Sequence, residues 1–150
     1  MSLQSATLTV TSPEFDQGGE IPKEITSDAD ESRPTLNIRA IPEGTKSLAI
    51  IMEDPDITIT TFSHWLVWNI PPQETIEGDR VPGIQGNNSL GKNNYLGPCP
   101  PGGTHRYFFK VYALNDSLDL EADSNKNKLE LAMEGHVLAK GELMGWYRKK

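Results

Sequence analysis

Apolar and polar residues alternate with a period of two along much of the chain. Threonines separate the apolar residues near the N-terminus, and polar residues separate Leu36, Ile38 and Ala40. This alternation is typical of antiparallel strands that bury one face. Two denser apolar segments are typical of central strands covered on both faces, residues 47–53 and 64–70. The pattern as a whole predicts strands over residues 6–11, 36–40, 47–53, 64–70, 107–114 and 136–147.

A single helix is predicted near the C-terminus. Apolar residues at spacing i, i+3 and i+4 within residues 129–133 form one face of this helix. Asp123 or Ser124 is predicted to cap its first turn, because either side-chain oxygen accepts from an unpaired backbone N–H group. Gly135 is predicted to end the helix, since glycine adopts the backbone conformation that closes a last turn.

Glycine and proline residues are concentrated between the predicted strands. The chain has 13 glycines and 11 prolines, and ten of these 24 residues lie within residues 82–103. This concentration predicts a long surface loop of the kind that often carries function. Short strands, glycine- and proline-rich turns and one late helix favour a mostly β protein, a β-sandwich with a small helical addition. The length of 150 residues predicts one domain that covers residues 1–150.

Charge and cysteine content argue against several classes of protein. The formal net charge of −7 disfavours non-specific nucleic-acid binding, which needs a surface of lysine and arginine. No apolar run approaches the ~18 residues of a membrane span. Residues 1–5 lack the basic and apolar regions of a secretory signal. The lone Cys99 allows no internal disulfide and fits a reducing compartment, so we expect a cytoplasmic protein.

Basic residues stand without carboxylates in one stretch of the chain. Residues 80–115 contain Arg80, Lys92, Arg106 and Lys110 and no Asp or Glu. If these four side chains converge, they face something negative. The alternative is that they lie on unrelated surfaces and pair with carboxylates elsewhere.

Two carboxylates and a histidine lie at the ends of the densest predicted strands. Asp54 and Asp56 follow a buried apolar strand, where a carboxylate is costly unless it is solvated or paired. His64 precedes the apolar run that begins at Trp65. Each residue taken alone is also ordinary, since Asp-Pro-Asp is a common turn and a histidine beside a tryptophan is commonly a core residue.

A second histidine shares a predicted strand face with a tyrosine. Strand parity places His105 and Tyr107 on one side, about 6.8 Å apart at ~3.4 Å per residue. The segment just before them, residues 97–103, combines prolines that stiffen the chain with glycines that allow a ligand to approach the backbone. A rigid loop beside an imidazole and a phenol suits a phosphate or carboxylate ligand.

Four ordered blocks between residues 54 and 114 carry a family resemblance. They are Asp54-Pro55-Asp56; His64-Trp65-Leu66-Val67-Trp68-Asn69; Gln85-Gly86-Asn87-Asn88 with Tyr95-Leu96-Gly97-Pro98-Cys99-Pro100-Pro101; and His105-Arg106-Tyr107-Phe108-Phe109 with Val111-Tyr112-Ala113-Leu114. These blocks resemble the motifs of the phosphatidylethanolamine-binding proteins, also called Raf kinase inhibitor-like proteins. The short length is similar to that of the bacterial and archaeal branch.

The resemblance implies a two-sheet antiparallel Greek-key β-sandwich with a shallow pocket that holds an anion at one end. Cys99 would contribute its backbone N–H group to this pocket, and Asp56 would orient the loop. Arg106 would be structural, pairing with a carboxylate beneath the pocket. Carried over by motif, the ligand-binding residues are Asp54, Asp56, His64, Cys99, Pro100, Pro101, His105 and Tyr107.

The leading functional hypothesis is a binding protein. It would hold the phosphate or similar anion of a phospholipid head group, a phosphorylated small molecule or a phosphorylated side chain, with no catalytic residue, metal or cofactor. The resemblance also implies a kinase or protease as a protein partner that is inhibited, and a homodimer as the assembly. The alternative hypothesis is a small-molecule hydrolase, in which a metal or a histidine base uses the same pocket.

Overall fold

The computed structural model describes residues 6–26, 32–57 and 60–148, so residues 1–5, predicted not to be a secretory signal, lie outside it. Within these ranges the chain forms ten strands, one α-helix and one short 3-10 helix. The strands are β1 (Ala6–Thr7), β2 (Thr9–Thr11), β3 (Gly19–Glu20), β4 (Leu36–Arg39), β5 (Ser47–Asp54), β6 (Phe62–Ile70), β7 (Thr75–Ile76), β8 (Ile84–Gln85), β9 (Thr104–Leu114) and β10 (Val137–Arg148). The α-helix α1 spans Lys126–Met133, and the 3-10 helix spans Lys23–Ile25.

Two sheets make up the fold. The large sheet has the strand order β1-β10-β9-β5-β6-β8, with β3 also paired to β10, and the small sheet has the order β2-β4-β7. Pairing is antiparallel between the long strands, as predicted. The short N-terminal strands β1 and β3 instead run parallel to β10. The predicted fold class, mostly β with two sheets and one helix, is confirmed.

The large sheet is covered on both faces, which explains why its central strands are apolar almost throughout. On one face Ile50, Trp65 and Phe109 belong to the core that the small sheet closes. On the other face Leu129 and Met133 of α1 pack over a second apolar cluster. All eight residues of β5 are buried. The predicted covering of both faces of this strand is therefore confirmed.

The predicted strand over residues 6–11 is divided between the two sheets. Its first two residues pair with β10 of the large sheet, and Thr9–Thr11 pair with β4 of the small sheet. The chain crosses from one sheet to the other at Leu8. A Cβ atom placed on Gly141 would lie 2.2 Å from the carbonyl oxygen of Leu8, so only glycine permits this crossing.

Other predicted strand boundaries also shift. The strand predicted over residues 36–40 ends at Arg39, because Ala40 has a φ of 67°, which is incompatible with an extended strand. The strand predicted over residues 107–114 begins earlier, at Thr104. His105 therefore lies within the strand and has a defined side.

The helix begins one or two residues later than the predicted caps imply. Asn125 is the N-cap, and its side-chain oxygen accepts a hydrogen bond from the backbone N–H of Lys128 at 3.1 Å. The prediction of Asp123 or Ser124 as the cap is wrong. Gly135, with a φ of 80°, follows the helix as predicted. Within the described ranges, no helix has the length and apolar character needed to cross a membrane.

The loop over residues 82–103 contains the short strand β8 and is otherwise irregular in backbone conformation. A buried amide, Asn88, organises it: its oxygen accepts from the backbone N–H groups of Leu90 and Lys92, and its nitrogen donates to Asn94. Tyr95 is buried and packs edge-on against Trp65, with ring centroids 5.3 Å apart. This loop is therefore anchored to the sheet before it reaches its proline-rich segment.

Candidate functional site

Three strand ends of the large sheet meet at the candidate site. β5 ends at Asp54, while its antiparallel neighbours β6 and β9 begin at Phe62 and Thr104. Antiparallel pairing brings the end of one strand beside the beginning of the next. Residues distant in the chain, among them both predicted site histidines, are therefore gathered at one end of the sheet.

A carboxylate–imidazole pair forms the buried centre of this site. Nδ1 of His105 lies 2.6 Å from Oδ2 of Asp54, whose side chain is 1% exposed. A carboxylate only accepts hydrogen bonds, so Nδ1 of His105 carries the proton. The other oxygen of Asp54 accepts from the backbone N–H of Asp56 at 2.7 Å. This pair fixes the orientation of the His105 ring.

The second histidine, His64, is fixed by the backbone of the loop. Its Nδ1 lies 2.8 Å from the carbonyl oxygen of Leu96, which must accept, so this nitrogen is also protonated. The N–H group of Leu96 donates back to the carbonyl oxygen of His64 at 3.0 Å. The His64 ring packs edge-on against Tyr107, with centroids 5.3 Å apart. The histidine from β6 thus lies next to the tyrosine from β9.

Tyr107 brings a buried hydroxyl group to this cluster. Its side chain is fully buried, and its O–H group donates to no acceptor among the described residues, while the backbone N–H of Cys99 lies near its oxygen. Burial, with the negative charge of Asp54, raises the pKa of this phenol well above its usual range, although the backbone amide of Cys99 acts in the opposite direction. The hydroxyl group therefore remains protonated and can donate.

The predicted ligand loop borders the cluster with mixed exposure. Gly97, Pro98 and Pro100 are buried, whereas Cys99 and Pro101 are exposed. Among the three rings His105 is the most exposed, at 8%, compared with 3% for His64 and none for Tyr107. The cluster therefore reaches solvent mainly along the His105 ring.

Asp56 is engaged by Arg106 rather than by the cluster. The guanidinium group of Arg106 donates to both oxygens of Asp56, at 2.8 and 3.0 Å, and the backbone N–H of Arg106 adds a third bond at 2.8 Å. This pairing lowers the pKa of Asp56 to about 2. Arg106 therefore pairs with a carboxylate, and the role of Asp56 in orienting the loop stays a prediction.

Two of the four basic residues in the 80–115 stretch pair with carboxylates. Arg106 pairs with Asp56, and Lys110 forms an ion pair with Glu53. Strand parity turns Lys110 to the face opposite His105 and Tyr107. The sequence left two alternatives, convergence on a negative group or pairing with carboxylates elsewhere. The second alternative holds for Arg106 and Lys110.

Two structural features of the site carry no signal in the sequence. The carbonyl oxygen of Leu96 that holds His64 belongs to the backbone, so no residue type marks it. The face that His64 occupies depends on a register shift between β5 and β6: Met52 pairs with Trp65, but Glu53 pairs with Ser63. This extra residue in β6 is a β-bulge, which redirects a side chain.

The comparisons with known proteins give the family. A family model described as "Phosphatidylethanolamine-binding protein" matches residues 11–148. The chain belongs to this family. A UPF0098 protein from Methanothermobacter thermautotrophicus is 43% identical over 143 residues, which are 90% of this chain and 95% of that protein. A UPF0098 protein from Aquifex aeolicus is 43% identical over 99% of this chain and 92% of its own length.

Two solved structures of phosphatidylethanolamine-binding protein relatives share this fold. The homologue CT736 from Chlamydia trachomatis superposes with a TM-score of 0.92 at 37% identity and covers 97% of this chain and 100% of its own. YbcL from E. coli, described as a new member of the mammalian family, superposes with a TM-score of 0.88 at 29% identity and the same coverage. Membership supports a binding role in general.

Proposed function

We propose that this chain binds the phosphate group of a small ligand or of a phosphorylated side chain at Asp54, His64, His105 and Tyr107. The observation that carries the proposal is the buried Tyr107 hydroxyl group, whose O–H has no acceptor among the described residues. A buried donor left without an acceptor costs about 1–3 kcal/mol. An anionic oxygen beside His105 would supply the missing acceptor.

The mechanism is charge-assisted hydrogen bonding. Asp54 occupies Nδ1 of His105, so the protonated ring directs its Nε2–H away from Asp54. Such an imidazolium and the Tyr107 hydroxyl group would donate to phosphate oxygens, and the backbone N–H of Cys99 would add a third donor. Pro100 and Pro101 have no N–H groups, and they would hold the Cys99 backbone in a fixed direction. Asp56 would support the loop through Arg106.

The same chemistry covers the proposed ligands and partners. A phospholipid head group, a phosphorylated metabolite and a phosphorylated side chain of a kinase or protease partner all present phosphate oxygens. We propose that the chain is a single domain that binds such a group in the cytoplasm. We also propose that it assembles as a homodimer. Calorimetry on the purified chain measures the binding directly and does not depend on which of these ligands is natural.

The test is a calorimetric titration with inorganic phosphate and with phosphoethanolamine between about pH 5 and pH 8. Both ligands should give binding heat within this range, because the cluster offers charge-assisted donors to phosphate oxygens. Absence of binding heat at every pH would overturn the proposal. Release of inorganic phosphate from phosphoethanolamine would instead support the hydrolase alternative.

A matched pair of histidine variants separates the site from general effects. His105→Gln should abolish measurable phosphate binding, because the amide carries no positive charge. His136→Gln should bind as the parent chain does, since His136 bonds to Asn115 away from the cluster. Equal affinity of the two variants would place the anion elsewhere.

A further inference from the structure

The lone cysteine lies on the segment that borders the candidate site. Cys99 is a free thiol and is exposed, whereas Pro98 and Pro100 on either side of it are buried. Proline restricts rotation of the backbone, so these two residues hold Cys99 in one position relative to the sheet. The thiol is therefore presented to solvent from a fixed point of the loop.

The backbone of the same residue faces the buried cluster. The N–H group of Cys99 lies near the oxygen of Tyr107, whose side chain is fully buried. A cysteine Sγ is three bonds from the backbone nitrogen of its own residue and lies within about 4 Å of it. A group attached to the Cys99 sulfur therefore starts at the edge of the cluster.

Tyr107 is the second observation that points to a ligand at this edge. Its O–H group donates to no acceptor among the described residues, and a buried donor left in this state is destabilising. The acceptor must therefore come from a group that approaches the Tyr107 oxygen beside Cys99. The neighbouring His105 ring, 8% exposed, is the side from which solvent reaches the cluster.

We propose that Cys99 is a modification site that closes the phosphate site, through exchange with a small disulfide that carries carboxylate groups. This inference rests on the function proposed above, because the site that it regulates is the cluster of His105 and Tyr107. A carboxylate of the attached thiol would accept from the Tyr107 hydroxyl group, in the place of a phosphate oxygen. The adduct and the phosphate therefore exclude each other.

The chemical step is thiol–disulfide exchange. The Cys99 thiol loses its proton to water, and the resulting thiolate attacks one sulfur of the small disulfide. A new S–S bond forms to Sγ of Cys99, the original S–S bond breaks, and the departing thiolate takes up a proton from water. The disulfide is the only oxidant, and an excess of small thiol reverses the step. The chain has no second cysteine, so no internal disulfide competes.

The dependence of the adduct on Tyr107 is tested without phosphate, with two disulfides of opposite charge. Glutathione disulfide carries carboxylates near its sulfur atoms, whereas cystamine carries only amines. Tyr107→Phe should lower the equilibrium constant for glutathione exchange about fivefold and leave that for cystamine unchanged. Mass spectrometry of the adducts measures both constants. Equal effects on the two disulfides, or no effect on either, would overturn the proposal.

The regulation itself is tested by phosphate calorimetry before and after treatment with glutathione disulfide. One glutathione should attach to each chain at Cys99, phosphate affinity should fall about tenfold or more, and dithiothreitol should restore it. An unmodified chain, a product that contains only disulfide-linked dimers, or a modified chain that binds phosphate as before would overturn the inference and leave the proposed function standing. If the untreated chain gives no phosphate heat, the proposed function fails, and the inference fails with it.

A relocated thiol gives the matched control. In Cys99→Ser, the phosphate affinity should be the same before and after the disulfide treatment, because no thiol remains. Ser117→Cys added to this variant supplies an exposed thiol beyond the end of β9 opposite His105. This double variant should take up glutathione with no change in its phosphate affinity. An equal loss of affinity on modification at residue 117 would show a general effect of the adduct and would overturn the proposal.

Discussion

The polar groups of the candidate site are held in fixed directions by their partners. Asp54 holds the His105 ring and the carbonyl oxygen of Leu96 holds the His64 ring, at 2.6 and 2.8 Å. The Tyr107 hydroxyl group differs from both, because it is buried and its O–H has no acceptor among the described residues. Removal of this hydroxyl group should therefore affect stability and binding in opposite directions.

Tyr107→Phe is the substitution that tests this difference. We expect the free energy of unfolding to stay constant or to rise by about 1 kcal/mol, because an unsatisfied buried group is removed. Phosphate affinity should fall about tenfold, because one donor is lost. Urea unfolding and calorimetry measure the two quantities.

Tyr95→Phe is the matched control for that variant. The Tyr95 hydroxyl group donates to the carbonyl oxygen of Ile25 at 3.0 Å, so its loss should lower the free energy of unfolding by about 1–2 kcal/mol. Its phosphate affinity should equal that of the parent chain. If Tyr107→Phe were as destabilising as Tyr95→Phe and bound phosphate normally, the Tyr107 hydroxyl group would have an internal structural role instead.

The Asp56–Arg106 pair gives the stability a defined dependence on pH. The pKa of Asp56 falls from 3.8 to about 2 in the folded chain, chiefly through the side-chain hydrogen bonds from Arg106. A carboxyl group with a depressed folded pKa stabilises the fold above its unfolded pKa. This contribution is complete above about pH 5 and is lost as the pH falls through about 2.

Urea unfolding of the parent chain and of Asp56→Asn over this pH range measures that contribution. The difference in unfolding free energy between them should be constant above about pH 5 and should vanish as the pH falls through about 2. Asp119→Asn, which alters an exposed carboxylate, should show a much smaller difference at every pH. A pH-independent difference for Asp56→Asn would contradict the assignment of this pair.

At the scale of single elements, strand parity accounts for half of the site. Parity predicts that His105 and Tyr107 share one face of a strand, and both are buried on the inner side of β9 together with Phe109 and Val111. Regular alternation is sufficient there because β9 has no bulge in its pairing with β5. Sequence alone therefore predicts the relation between His105 and Tyr107.

Parity fails for His64 on the neighbouring strand. Strict alternation in β6 would turn His64 to the side opposite Trp65, where α1 packs. The register shift opposite Met52 and Glu53 inserts one residue, so His64 packs on Tyr107 and Ser63 faces the outer side. A bulge depends on long-range pairing, so only the family motif, and not the local pattern, could indicate where His64 lies.

The helix cap provides a test at the same scale. The three residues just before α1 are Asp123, Ser124 and Asn125. All three are good capping residues, so local propensity does not distinguish them. In the structure only Asn125 accepts from the first turn. Asn125→Ala should lower the free energy of unfolding by about 1 kcal/mol, as measured by thermal or urea unfolding.

Asp123→Ala is the control for the cap. Its side chain is exposed and only its backbone carbonyl is used, by Asn87, so the unfolding free energy should change by less than about 0.5 kcal/mol. A larger loss in Asp123→Ala than in Asn125→Ala would restore the cap predicted from the sequence.

At the scale of the whole molecule, the connection between the two sheets depends on one close backbone contact. The chain passes from β1 in the large sheet to β2 in the small sheet at Leu8, directly above Gly141 on β10. Alternation over residues 6–11 looks like one strand because both halves are extended. Nothing in a local pattern shows that the two halves pair with different sheets.

Gly141→Ala tests that connection. The added methyl group would lie within van der Waals radii of the Leu8 carbonyl group, which is backbone and cannot move aside alone. We expect a loss of about 2 kcal/mol or more in the free energy of unfolding, measured in urea. Gly102→Ala, where the methyl group meets no atom within 4 Å, should change it by less than about 0.5 kcal/mol. Equal stability of the two variants would contradict the crossing.

The central claim is that an anion contacts the imidazole of His105 together with the hydroxyl group of Tyr107. Side-chain NMR of the three histidine rings during titration with inorganic phosphate at about pH 6 tests it most directly, because ring nitrogens report both contact and protonation. The His105 signals should move with saturation, while those of His136 stay in place. If all three rings respond alike, or none responds, phosphate is not bound at this cluster.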